Sequence, residues 1–151
     1  MKNELKLRQV EGDTELLACH AVMVELRPHL NDPNVFARQV MRQRERGYRL
    51  LAAWDKDRPV GLVGYRLQEN LMYGEFMYVD DLVVLQDYRR DGVGTQLLSA
   101  VRAYARKLGC RYFTLDTGLS MALAQRFYYR QGLLGRGMCF SEPLFGDESA
   151  S

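Results

Sequence analysis

The sequence predicts one α/β domain of the α+β kind, a mixed β-sheet with helices on both faces, in the order β-α-α-β-β-β-α-β-α-β. Three observations predict it. Short runs rich in Leu, Val and Tyr alternate with segments of helical period. Two of those runs, Tyr48–Trp54 and Val60–Leu67, flank the polar turn Asp55-Lys56-Asp57-Arg58-Pro59, which reads as a hairpin and therefore an antiparallel pair. The stretch from Glu75 to Leu115 reads as strand, helix, strand, which requires a parallel pair with a right-handed crossover. Antiparallel and parallel pairs in one chain make the sheet mixed.

Each element has its own signal. Leu5 to Val10 alternates apolar and polar residues, the period of a strand. Gly12-Asp13-Thr14 offers a cap, and Leu16, Leu17, His20, Val24 and Arg27 follow helical spacing up to Pro28. Asn31-Asp32-Pro33-Asn34 is a turn or cap cluster. Val35, Phe36, Val40 and Met41 open a second helix that stops at Gly47. After the hairpin, Glu75 to Leu85 is a third run. Gly92 to Leu108 is a strong helix with the stripe Val93, Leu97, Leu98, Val101, Ala105 and Leu108. Gly109 ends it, and Cys110 to Leu115 returns as a strand. Met121 to Gln131 is a short helix ended by Gly132, and Met138 to Leu144 is read as a last strand that stops at Pro143.

Composition narrows the function classes. The 151 residues suit one domain, taken as 1–145 with a disordered tail at 146–151. At 47% hydrophobic the chain is too apolar for disorder, and 21 Lys+Arg against 19 Asp+Glu excludes binding to nucleic acid through bulk charge. No apolar stretch approaches the ~20 residues of a membrane span, so no membrane partner is expected. Met1 to Lys6 has no apolar signal core, which points to the cytoplasm. Cys19, Cys110 and Cys139 are odd in number, distant, and never in a C-x-x-C pair, so neither a disulfide framework nor a metal site is expected. Arg38, Arg42 and Arg46 repeat at four-residue spacing, which reads as a solvated helix face.

The informative segment runs from Leu82 to Thr95. Gly92 and Gly94 sit between a strand and a helix, where absent side chains let backbone N–H groups approach a ligand. A helix N-terminus favours phosphate, and Arg89 and Arg90 add charge beside it. A P-loop and a Rossmann fingerprint both require a glycine where this chain has Leu97. The pattern Arg/Gln-x-x-Gly-x-Gly/Ala is met in full by Arg89-Arg90-Asp91-Gly92-Val93-Gly94.

On these residues the sequence resembles the GNAT superfamily of N-acetyltransferases. Tyr78-Val79-Asp80-Asp81-Leu82-Val83-Val84 looks like the family's central strand, and Ala124 to Leu133 is similar to its second signature, Ala-x-x-Phe/Leu-Tyr-x-x-x-Gly-Phe. The resemblance covers the element order of nearly the whole chain and is strongest over 78–133. It implies an enzyme that uses acetyl-CoA as cosubstrate, without a metal, and acts on an amine acceptor. The backbone of Leu82, Val83 and Val84 should pair with the pantetheine arm, and Arg89, Arg90, Asp91, Gly92, Val93, Gly94 and Thr95 should wrap the pyrophosphate. Tyr128 matches the family tyrosine that protonates the leaving thiolate; Tyr129 is the alternative if the helix register differs. Dimers are common in the family, so a homodimer is allowed. Two departures stand out: Met121 replaces the family's frequent Asn, and Leu133 its final Phe.

Acyl transfer to an amine requires a neutral amine, and hence a base. Glu75, Asp80 and Asp81 on the central strand, and Glu25 and His29 in the first helical region, are the candidates. Some family members carry a glutamate where this chain has Tyr78. Strand alternation puts Asp80 on the face of Tyr78, and Asp81 on the other face with Val83. Asp80 is chosen as base on that parity. Glu25 and Glu75 are the candidates for holding a cationic acceptor. A non-catalytic acyl-CoA-binding or regulatory module on the same fold is the alternative reading.

Overall fold

The computed structural model describes residues 4–146. They divide into a unit up to Leu115 and a smaller one from Asp116, each described by itself. The first contains β1 (Lys6–Gln9), α1 (Asp13–Leu26), α2 (Pro33–Arg44), β2 (Tyr48–Asp55), β3 (Arg58–Asn70), β4 (Gly74–Val84), α3 (Val93–Lys107) and β5 (Tyr112–Leu115). The second contains α4 (Ala122–Arg130).

The five strands form one sheet in the order β1-β2-β3-β4-β5. Neighbours from β1 to β4 are antiparallel, whereas β5 runs parallel to β4, with Phe76 to Val79 opposite Tyr112 to Leu115. The mixed sheet, the hairpin and the crossover expected from sequence are all present. Side chains opposite one another in a ladder share a face. Gly61 and Tyr65 of β3 face α3: a Cβ on Gly61 would lie 2.9 Å from Val93, and the Tyr65 ring meets Tyr104. The alternate positions, Leu62, Gly64 and Arg66, face α1 and α2. With both faces covered, β2 is buried at six of its eight positions rather than every second one.

Local chemistry accounts for the helix limits. The Asp32 carboxylate accepts from the Asn34 and Val35 amides, and Pro33 occupies the first turn of α2, where it needs no donor. On α3 the buried stripe is Val93, Leu97, Leu98, Val101 and Ala105; Leu108, expected in that stripe, sits at the C-cap and is exposed. Gly109 takes a positive φ of 81° and ends the helix. Arg38, Arg42 and Arg46 are exposed, as their spacing suggests.

In the second unit, Gln125 Nε2 donates to the carbonyls of Gly118 and Leu119, tying the entry loop to α4. Gly132, at φ 89°, ends α4, and the Leu133 amide donates back to the Tyr128 carbonyl. The expected strand from Met138 to Leu144 is not formed: 133–143 carry no regular structure, and Met138, Phe140 and Leu144 are all exposed. Apolar side chains alone do not make a strand; a ladder partner is needed, and Pro143 withholds one donor. Of the expected tail, residues 147–151 lie outside the described residues.

Cys19 is fully buried in α1, and burial pushes its thiol up to about 12. Alkylation of the native protein with iodoacetamide at pH 8 should therefore leave Cys19 unmodified, and unfolding in urea should expose it. Peptide mapping that found Cys19 alkylated in the native sample would contradict this packing.

Candidate active site

The site begins with one extra residue in β4. The β3–β4 ladder pairs Gly64 with Asp81 and Tyr65 with Val79, so Asp80 has no residue opposite it. This is a β-bulge, and it resets the strand's period of two. Tyr78 lies opposite Arg66, and Asp81 lies opposite Gly64, two positions away on the same face of β3. Asp80 is bonded by Arg66 on that face too. The expectation that Asp80 and Asp81 point to opposite faces is corrected accordingly. Both turn toward α1 and α2.

Two neighbouring carboxylates on one half-buried surface repel, and each is met by its own arginine. Arg66 grips Asp80 with two parallel bonds, Nε to Oδ1 at 3.1 Å and Nη2 to Oδ2 at 2.5 Å. Burial nevertheless dominates and raises the Asp80 carboxyl above its ordinary value, with Arg66 opposing. Arg27, at the end of α1, places Nε 3.0 Å from Asp81 Oδ1, while its Nη2 donates to the Asp80 carbonyl at 3.0 Å. That second bond satisfies a backbone acceptor at the bulge.

Tyr48 completes the arrangement. Its hydroxyl donates to Asp81 Oδ2 at 2.8 Å, and its side chain is 1% exposed. Burial, then the Asp81 charge, pushes the phenol well above its usual range, so it remains a donor. The ring reaches Asp81 by lying across Gly64, where a Cβ would stand 1.9 Å from the hydroxyl oxygen. Glycine is thus required there by space.

Above this floor is a cleft of about 210 Å³ between the α1–α2 connection and the sheet. Met23, Phe36 and Val40 form apolar wall, while Arg27, Gln39 and Gln43 supply polar groups and Tyr48 and Asp81 form the base. His29, an expected candidate, lies at its rim and is exposed.

Farther along β4, the ladder to β5 ends at Val79. The strand continues through Leu82, Val83 and Val84 paired only with β3. Arg89 Nε donates to the Val84 carbonyl at 2.9 Å, and Arg89 Nη2 lies 3.5 Å from Glu25 Oε1 on α1. Arg89, Arg90 and Asp91 are exposed. Gly92 is the N-cap of α3 at φ 76°, a left-handed conformation that favours glycine, and no side chain caps the helix. Val93 is anchored in the core, which fixes the helix start; Gly94 and Thr95 complete its first turn.

The structure therefore brings Asp80 together with Asp81, and Glu25 with Arg89. Glu75 is exposed at the start of β4 and does not line the cleft. Tyr128 is half-buried on α4 with its ring against Phe127, whereas Tyr129 is exposed. Arg27, Arg66, Tyr48 and Gly64 were not singled out by sequence reasoning. Gly64 alone carried a signal, since glycine inside an apolar strand, here twice at Gly61 and Gly64, marks a bulge or a close approach. Among the described residues no cluster of His, Cys, Asp or Glu has the form of a metal site, and no helix is long and apolar enough to cross a membrane.

A carboxylate pair on a bulged strand is followed along the chain by a glycine-opened helix start of the kind that can receive anions. A sequence model of the Acetyltransferase (GNAT) family matches residues 15–133, and the chain belongs to that family. It is 26% identical to the uncharacterised N-acetyltransferase YhdJ of Bacillus subtilis, over 93% of this chain and 99% of that one. It is 30% identical to the aminoalkylphosphonate N-acetyltransferase of Salmonella typhimurium, over 77% of this chain and 68% of that one. Among solved structures, the aminoglycoside acetyltransferase AAC(6')-Iy bound to a bisubstrate analogue superposes with a TM-score of 0.78 at 17% identity, covering 93% of this chain and 99% of that one. A Trypanosoma brucei acetyltransferase gives 0.79 at 22%, covering 93% and 100%. At those identities the superpositions establish the fold, and the sequence relatives make the chain an acyltransferase.

Two outcomes follow from the geometry. Gly64→Ala should destabilise the protein by about 1–3 kcal/mol in urea unfolding, the usual cost of overpacking a filled core, because backbone and buried phenol cannot both stay in place; an unchanged midpoint would show that Tyr48 does not lie there. The second concerns pH. A carboxyl whose folded pKa exceeds its unfolded value holds its proton more tightly in the native state, so its contribution to stability improves as pH falls through that raised value. The unfolding free energy of wild type minus that of Asp80→Asn should accordingly rise as pH is lowered from 7 toward 4; a fall would reverse the sign of the burial effect.

Proposed function

We propose that the chain is an N-acetyltransferase that moves an acetyl group from acetyl-CoA to a primary amine of a small molecule, peptide or protein by direct attack. Residues 1–145 act as one catalytic domain in this reading, with no metal. The observation that carries it is the continuity along β4: a bulge presenting two carboxylates, then strand backbone that no longer pairs with β5, then the start of α3 without a side-chain cap.

The residues present fit the cosubstrate. Leu82, Val83 and Val84 offer strand backbone for an amide-bearing arm to pair with. Arg89 and Arg90 carry positive charge to the turn, and Asp91 through Thr95 present backbone at a helix start, the arrangement that receives phosphates. Bound acetyl-CoA supplies an acyl group already activated as a thioester. Two relatives are named for acceptors that carry amines, an aminoalkylphosphonate and an aminoglycoside, which supports an amine acceptor here.

Asp80 is the proposed proton acceptor. An alkyl amine holds its proton near pH 7, and burial moves the Asp80 carboxyl upward, the direction that suits a base working near neutrality. Glu25 and Glu75, exposed and outside the cleft, serve the approach of a cationic amine. The Tyr128 hydroxyl is assigned to protonating the departing thiolate. A cytoplasmic location and a homodimer through the exposed apolar residues Leu17, Val35 and Met41 of the first helices belong to the same reading.

Replacing Tyr128 by Phe should lower kcat by about 10²-fold or more, the usual range of general-acid catalysis, with acetyl-CoA binding unchanged. Release of free CoA thiol in the presence of an amine panel measures the first, and calorimetric titration the second. Undiminished turnover by the Phe variant would remove Tyr128 from the mechanism.

A further inference from the structure

The floor of the cleft is already charge-balanced, and that restricts what can bind. Among the described residues Asp81 is the only carboxylate lining it, and it is bonded by Arg27 and Tyr48. Asp80 beside it is held at both oxygens by Arg66. A simple ammonium ion that binds Asp81 competes with Arg27 and the Tyr48 hydroxyl for its two oxygens, and adds an unbalanced positive charge beside Arg27. Weakening the Arg27–Asp81 pair in that way is unfavourable chiefly at the less exposed partner, Asp81, whose side chain is 14% exposed against 37% for Arg27. A molecule that carries both charges avoids that loss. Its ammonium takes the place of Arg27 at Asp81, and its anionic group takes the place of Asp81 at Arg27. Net charge is unchanged, and both charge-assisted bonds are replaced in kind.

Size narrows the choice further. The cleft holds about 210 Å³, below the ~300–1,000 Å³ of pockets for drug-sized ligands, and it is open to solvent, so the part of a ligand seated between Asp81 and Arg27 is small. Met23, Phe36 and Val40 provide apolar wall for a short carbon chain between the two charges.

We infer that the acceptor is a small zwitterion, a primary amine joined by a short chain to a carboxylate, phosphonate or sulfonate, seated between Asp81 and Arg27. Arg27 is then the specificity-determining residue. It exchanges its partner from Asp81 to the acceptor's anion, while Tyr48, braced over Gly64, keeps Asp81 aimed into the cleft. The inference rests on the reading of the chain as an amine acetyltransferase only for what happens after binding; the recognition itself concerns the cleft alone.

Binding is therefore the primary readout. Calorimetric titrations of the full chain with 3-aminopropanoate, 2-aminoethylphosphonate, 2-aminoethanesulfonate, propylamine, propanoate and spermidine compare zwitterions with single charges and with a polycation. At least one zwitterion should bind about tenfold or more tightly than propylamine, propanoate and spermidine, and the three acids identify the preferred anion. Arg27→Gln should reduce that zwitterion to the level of propylamine with acetyl-CoA affinity unchanged, and Arg27→Lys should restore part of the preference. Equal or tighter binding of propylamine or spermidine, no binding by any zwitterion, or a preference that survives Arg27→Gln would overturn the inference. Should Arg27→Gln fail to fold, the wild-type series and the Lys variant decide it. Thiol release from acetyl-CoA is followed separately: a zwitterion that binds without being acetylated counts against the proposed reaction and not against the cleft, while turnover of propylamine or spermidine with no zwitterion bound does the reverse.

Discussion

The bulge at Asp80 is the constraint on which the cleft floor depends. Without it, strand alternation would send Asp80 and Asp81 to opposite faces of β4, one toward α1 and α2 and the other into the layer beneath α3. One unpaired residue puts both on the same side. Two adjacent carboxylates in a half-buried setting then need compensation, and the neighbours supply it. Arg66 comes from β3, the strand across the ladder, and Arg27 from the end of α1. The Asp80 carbonyl, turned out of register, is bonded by the same guanidinium that pairs with Asp81. The bulge, the position of α1 and the charge pairs are therefore one solution rather than three separate features.

The bulge also dictates residues on strands it does not belong to. Asp81 lands opposite Gly64, and a side chain there would occupy the space through which Tyr48 reaches it. Tyr48 is fully buried at the first position of β2, immediately after the turn that ends α2. A buried hydroxyl must find a partner, and Asp81 is that partner. The phenol, pushed upward by burial and by the neighbouring charge, stays protonated and keeps donating. The carboxylate is fixed from below by a neutral donor and from the side by a cation, which leaves its direction well defined.

Much of this was legible in the sequence, and the reasons for the gaps are physical. The stripe on α3, the capped start of α2 and the hairpin between β2 and β3 were readable because each depends on residues close together in the chain. The glycine-opened loop after β4 was readable for the same reason, since Gly92 must be free to adopt a positive φ where it stands. The face of Asp81 was not readable: alternation assumes a regular ladder, and a bulge appears only when two strands are paired. Arg27 and Arg66 gave no sign of their pairing with Asp81 and Asp80, because those partners lie 54 and 14 residues away in the chain. The last run, Met138 to Leu144, misled in the opposite sense. It has strand-like composition, but a strand exists only where another strand accepts its hydrogen bonds.

The pairing of the two aspartates with two arginines also bears on the chemistry. A strongly acidic cleft would hold an amine in its charged form and so oppose the attack that acyl transfer requires. Here the negative charge is concentrated in two carboxylates and offset by two arginines, and burial outweighs Arg66 at Asp80. A group pushed in that direction accepts a proton more readily than an exposed carboxylate does, without the site becoming a trap for cations. The positive charge has its own place, at Arg89, Arg90 and the start of α3, one turn beyond the end of β4. The balanced pairs at the cleft floor and the positive charge at the start of α3 are thus two separate local fields, and both are attached to β4 or to the turn that follows it.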